Sequence, residues 1–135
     1  MKPRALFAAL TVSALCLSAP ALAEGDPEKG ESVFKKCRAC HAVGEGAKNK
    51  VGPHLNDMMG RQAGTGEGFK YSASMIEAGE NGLVWTEDKI AAYLRDPRGF
   101  IPKNRMAFAG LKKDDEVDNV IAYLKQFTEG SGSTN

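Results

Sequence analysis

Cys37-Arg38-Ala39-Cys40-His41 is the segment of this chain best equipped for chemistry. Thiols at i and i+3 share one face of a helical turn, so each can add to one vinyl group of the same porphyrin. His41 comes next and is brought beneath the ring, where it offers a nitrogen to iron. C-x-x-C-H is the attachment signature of c-type haem. Other uses of paired cysteines fit less well. A thioredoxin-like redox pair needs a βαβ pattern, and none is visible. A structural zinc site needs four ligands, and no second Cys/His pair is available. A plain disulfide remains, and the following His, the helical context and the signs of export weigh against it.

Iron held by His41 alone keeps an open sixth position, which suits a ligand sensor or a peroxidase. A Met ligand raises the reduction potential and favours electron transfer. The candidates beyond the motif are Met58, Met59, Met75, Met106 and His54. Met106 is favoured because it sits in a loop, Ile101 to Gly110, between two helical stretches and able to cover the ring's far face. Met58 and Met59 are adjacent in a short turn, where at least one fills core. Met75 falls on a helical stretch, where packing is the commoner role, and His54 lies too near His41 to reach the opposite face.

Helices must position these groups. Asp26-Pro27 caps and opens the first, in which Gly30, Val33, Phe34 and Cys37 fall at i, i+3, i+4 and i+7; the spacing predicts a helix to about Ala39. A Gly-rich tract from Ala42 to Gly82 reads as loops, with a short helix over Ser72 to Ala78. So long a loop region in a small domain implies function, or something to wrap. Thr86 caps another helix, with Ile90, Tyr93 and Leu94 on its apolar face, and Asp96-Pro97 ends it. Arg98 to Gly110 reads as loop. Asp114 or Asp115 opens the last helix, with Val117, Val120, Ile121 and Leu124 on one stripe. No strand pattern is evident, and the class is all-α.

The N-terminus reads as a cleaved export leader over residues 1–23. It has a basic start at Lys2 and Arg4, an apolar run from Ala5 to Leu17 too short to span a bilayer, and an A-x-A site at Ala21 to Ala23. The domain then occupies residues 24–128, with a frayed tail over 129–135. Losing Lys2 and Arg4 takes the eighteen basic residues below the seventeen acidic ones, to a formal charge near −1. That balance argues against a nucleic-acid partner, and no later apolar stretch is long enough to cross a membrane. Cys16 leaves with the leader, so Cys37 and Cys40 are the remaining cysteines. One short Cys loop is a poor staple for a small exported domain, and an apolar porphyrin supplies the missing core.

The mature chain resembles the class I cytochromes c of the soluble bacterial c2 type, close to the mitochondrial protein. The matches run through Glu28-Lys29-Gly30, Phe34, C-x-x-C-H, Val51-Gly52-Pro53, Gly60-Arg61, Gly68 to Tyr71, Trp85, Tyr93, Pro97, Ile101-Pro102, Met106, Phe108-Ala109-Gly110 and Ala122-Tyr123-Leu124. The resemblance implies crossed N- and C-terminal helices, with loops and short helices wrapping one haem c joined to Cys37 and Cys40. It implies His41 and Met106 as iron ligands, and the Pro53 carbonyl as acceptor for the other His41 nitrogen. It implies Tyr71 and Trp85 as donors to a buried propionate with Arg61 nearby, the Tyr93 hydroxyl beside the Met sulfur, and Phe108 beside the exposed haem edge. Gly30, Phe34, Val120 and Tyr123 match the helix crossing. Lys103-Asn104 departs from the Gly-Thr of the mitochondrial pattern, His54 departs from its Asn, and the stretch from Tyr71 to Trp85 is longer.

The function so implied is that of a monomeric periplasmic electron carrier, not an enzyme, cycling Fe(II)/Fe(III). Its partners would be redox complexes: a quinol-oxidising cytochrome complex, an oxidase, a photosynthetic centre or a dehydrogenase. Lysines such as Lys35, Lys36, Lys70, Lys112 and Lys113 are candidates for a docking ring around the haem edge. Two rivals are an open-site sensor or peroxidase, and a haem subunit dedicated to one periplasmic enzyme.

Overall fold

Asp26 starts the first helix as its sequence predicts. In the computed structural model, which describes residues 24–128, Asp26 Oδ1 accepts from the Glu28 and Lys29 N–H groups at 2.9 and 3.3 Å, and Pro27 opens α1 (Pro27–Phe34). The expected leader and tail lie outside the described residues. The α-helix ends at Phe34, short of Ala39. Beyond it the bonds tighten: Cys37 N–H donates to Phe34 O at 2.8 Å and Cys40 N–H to Cys37 O at 3.1 Å. Such i→i−3 turns keep the same residues on one side, so periodicity alone does not separate them from α-helix.

Ser72 caps α2 (Ala73–Glu80), its hydroxyl accepting from Met75 N–H at 3.2 Å. Thr86 precedes α3 (Glu87–Arg95), which Asp96-Pro97 ends. The segment after it is not all loop as expected. Pro97–Phe100 forms one helical turn, α4, because Pro suits the first helical position and Asp96 Oδ1 accepts from Gly99 N–H at 3.0 Å. The same Asp-Pro pair thus stops one helix and starts another. The last helix, α5 (Asp114–Lys125), buries Val117, Val120, Ile121 and Leu124 on one stripe.

The main packing contact crosses α1 with α5. A Cβ at Gly30 would collide with Asn119 O, so only glycine permits this approach. Phe34 and Tyr123 pack as tilted rings with centroids 5.4 Å apart beside it, and Asn119 Oδ1 accepts from Asp26 N–H at 2.7 Å. Trp85 is tied to the Arg61 segment by an antiparallel bridge, with Trp85 N–H donating to Arg61 O and Ala63 N–H to Leu83 O, both at 2.9 Å. No helix among the described residues is long and apolar enough to cross a membrane.

Candidate functional site

Between the helix crossing and the loops lies a cavity of about 540 Å³, within the size range of cofactor sites. Segments far apart in sequence supply its walls: Cys40 and His41 after α1, Val51 to Pro53 and Leu55, Met58 and Arg61, Phe69 to Ser72, Met75 on α2, Trp85, then Ile90, Tyr93 and Leu94 on α3, and Asn104 to Ala107. Its charged groups are Arg61, Lys70 and Arg105, and no Asp or Glu lines it among the described residues. The walls suit an apolar ring that carries anionic substituents.

His41 is oriented by its neighbours. Its Nδ1 bonds Pro53 O at 2.7 Å, the partner implied by resemblance, which leaves Nε2 as the free ring nitrogen. A Cβ at Gly52 would collide with His41 Cε1, so the peptide there runs directly along the ring edge. Burial lowers the imidazole pKa, the Pro53 carbonyl opposes that shift, and Lys50 adds to it. Neutral imidazole is the form that ligates metal. Cys37 and Cys40 are half-buried and not disulfide-bonded, and burial raises the Cys37 thiol pKa.

Met106 contributes to the cavity wall from the opposite end of the chain. Tyr93 Oη donates to its Sδ at 3.8 Å. Burial pushes the Tyr93 pKa up to about 12, so the phenol keeps its proton for that bond. Trp85 is buried and packs against Tyr93 with the rings tilted and their centroids 5.1 Å apart. Tyr71 and Arg61 converge: a Cβ at Gly66 would collide with Tyr71 Oη and lie 3.2 Å from Arg61 Nη2.

The other sulfur candidates have other surroundings. Met58 is buried core that also touches the cavity, and Met75 lines the cavity from α2. Met59 lines a separate small pocket, and His54 lies outside the cavity. Phe108 is partly buried against the core and is not part of the cavity wall. Phe69, with no role assigned from sequence, lines the cavity, as do Met75, read as helix packing, and Asn104, read as a departure from the mitochondrial pattern. Asn104 carried a signal, since Lys103-Asn104 replaces the Gly-Thr of the mitochondrial pattern beside Met106 with a residue that can still hydrogen-bond.

The Cys40 thiol, an imidazole with one nitrogen free and a thioether line one apolar cavity, with the Cys37 thiol one turn before Cys40 and outside the wall, and this donor set suits covalent haem. The fold and site thus define an all-helical haem protein built for electron transfer. The Cytochrome c profile matches residues 27–128, and the chain belongs to the cytochrome c family. Cytochrome c2 of Afifella marina is 55% identical over 102 residues, covering 75% of this chain and 82% of that protein. Cytochrome c-550 of Ancylobacter novellus is 54% identical over 101 residues, covering 75% and 94%. The structure of cytochrome c2 from Rhodospirillum centenum superposes with a TM-score of 0.74 at 50% identity, covering 77% of this chain and 99% of that one. Membership makes this an electron-transfer protein carrying one covalent haem c, attached through the Cys37 and Cys40 pair.

Proposed function

We propose that the protein is a periplasmic one-electron carrier, exported by a leader over residues 1–23, with His41 and Met106 as iron ligands. The observation that carries this reading is that both side chains line one cavity although they come from opposite parts of the chain. The haem supplies reversible Fe(II)/Fe(III) chemistry, and the polypeptide sets its terms. The Pro53 carbonyl fixes the His41 tautomer, so Nε2 is presented unprotonated. The Tyr93 hydroxyl holds the thioether on station in both oxidation states, which keeps the structural change on electron transfer small. Tyr71, Trp85 and Arg61 supply donors for the propionates, whose charge would otherwise be costly to bury. Phe108 packs, partly buried, against the core.

Arg61, Lys70 and Arg105 give the cavity basic walls and favour acidic partner surfaces. The partner classes remain those inferred above: a quinol-oxidising complex, an oxidase, a photosynthetic centre or a dehydrogenase. The decisive test compares the visible spectrum and redox titration of wild type with Met106→Ala. We expect the variant to lose the sulfur-ligated spectrum, fall in potential and bind carbon monoxide when reduced at neutral pH. A variant matching wild type in spectrum and potential would remove Met106 from the ligand role.

A further inference from the structure

Asn104 is the most heavily bonded side chain in the segment that carries Met106. Its Nδ2 donates to Pro97 O and to Ile101 O, both at 2.7 Å, and its Oδ1 accepts from Met106 N–H at 2.8 Å. One planar amide therefore ties together the start of α4, the residue that leaves it, and Met106. Lys103, just before it, has φ of 63°, a left-handed conformation that disfavours side chains. Such backbone persists where surrounding contacts over-determine it, and the three bonds of Asn104 do so. Asn104 is half-buried and lines the cavity next to Met106, where water competes weakly for these bonds. Met106 is thus gripped at both ends, at its amide by Asn104 and at its sulfur by Tyr93.

We propose that Asn104 is a positioning residue that keeps Met106 Sδ from yielding its place to an outside ligand. The inference rests on Met106 being the sulfur ligand. It also makes a counterintuitive claim. The related mitochondrial pattern has Thr at this place, yet Thr should weaken the site here. A hydroxyl has one proton and replaces at most one of the two donations.

The test uses the haem-loaded protein and two readouts: imidazole binding to the ferric form, and hydrogen exchange at the Met106 amide. Asn104→Ala should raise the rate and affinity of imidazole binding about tenfold, the equivalent of one lost hydrogen bond, and deprotect the amide. Asn104→Thr should fall between Ala and wild type, and it carries the test if the Ala variant fails to hold haem. Asn49→Ala is the control. Its amide also joins two segments, donating to Glu67 O and accepting from His54 N–H at 3.0 Å each, but it does not line the cavity. It should lower Tm and leave imidazole binding unchanged. A merely structural Asn104 would behave like that control, and wild-type imidazole binding in both Asn104 variants overturns the inference. Met106→Ala, run alongside, separates the two ideas. An unchanged spectrum in it removes the sulfur ligand and this inference together. A changed spectrum with unaltered imidazole binding in the Asn104 variants removes this inference alone.

Discussion

The helix crossing and the loops around the cavity are held together by different means. At the crossing, α1 and α5 bury Gly30, Val33, Phe34, Val117, Val120 and Ile121, apolar or small residues at helical spacing, and a single asparagine bond, from Asp26 N–H to Asn119 Oδ1, adds to them. Around the cavity, asparagine amides fasten one backbone segment to another. Asn49 links to Glu67, Asn104 links α4 to Met106, and Asn56 both donates to Gly44 O and accepts from Gly44 N–H at 2.8 Å. Helices satisfy their own backbone and need only bury a stripe. Loops that wrap a cofactor leave backbone groups to be satisfied from side chains. The crossing should therefore be sensitive to volume, and the loops to the loss of single amides.

Gly30→Val tests the first half of that contrast and should have the largest effect. The added Cβ meets the α5 backbone at Asn119, which has no side-chain freedom with which to yield. We expect about 3 kcal/mol of destabilisation, read from urea unfolding of the haem-loaded protein, at the upper end for overpacking. A loss near that of an ordinary exposed Gly-to-Val change would mean that the helices separate readily. Asn56→Ala tests the second half. It removes both bonds to Gly44 from a half-buried site, and about 2 kcal/mol should be lost. Asn56→Asp keeps the acceptor and should recover part of it. Equal stability in all three proteins would break the comparison.

The same contrast decides how much was legible in the sequence. Asp26-Pro27 and the α5 stripe announced their helices because caps and apolar spacing are local patterns, whereas Thr86 stands at the start of α3 without a side-chain capping bond, its hydroxyl donating to the Asp88 carboxylate. α4 was not legible, since a single turn is too short to display a period. Cys40, His41, Pro53, Arg61, Tyr71, Trp85, Tyr93 and Met106 were all named in advance, and the fold gathers them around one cavity. The C-x-x-C-H motif was readable from chemistry and Met106 from its place in a loop between two helical stretches, and the others only through resemblance. Asn104 was legible as a hydrogen-bonding departure beside Met106, but the ties of Asn49 and Asn56 were not, for a physical reason. A side chain that bonds a distant carbonyl leaves no mark in the spacing of its neighbours, and an Asn in a Gly-rich tract reads as an ordinary turn residue.

The smallest effect expected is at the junction of the two regimes, where Asp26 caps the helix that enters the crossing. Its carboxylate accepts from the N–H groups of Glu28 and Lys29. The Lys29 backbone bond is the main cause of a pKa held below the ordinary 3.8; desolvation opposes it, and the Glu28 backbone bond and the Lys29 charge add to the lowering. A carboxyl whose folded pKa lies below its unfolded one stabilises the fold above the unfolded value, and that contribution disappears as pH falls through the folded value. Asp26→Ala should therefore cost a little stability at neutral pH. The gap to wild type should narrow as pH falls below 3.8, because protonated Asp26 loses its charge advantage at the helix start. Denaturant midpoints for both proteins, measured from neutral pH down to the acid limit, check this. A gap that stays constant across that range would mean that the cap acts through the geometry of its oxygen alone, and that charge adds nothing at the entrance to the crossing.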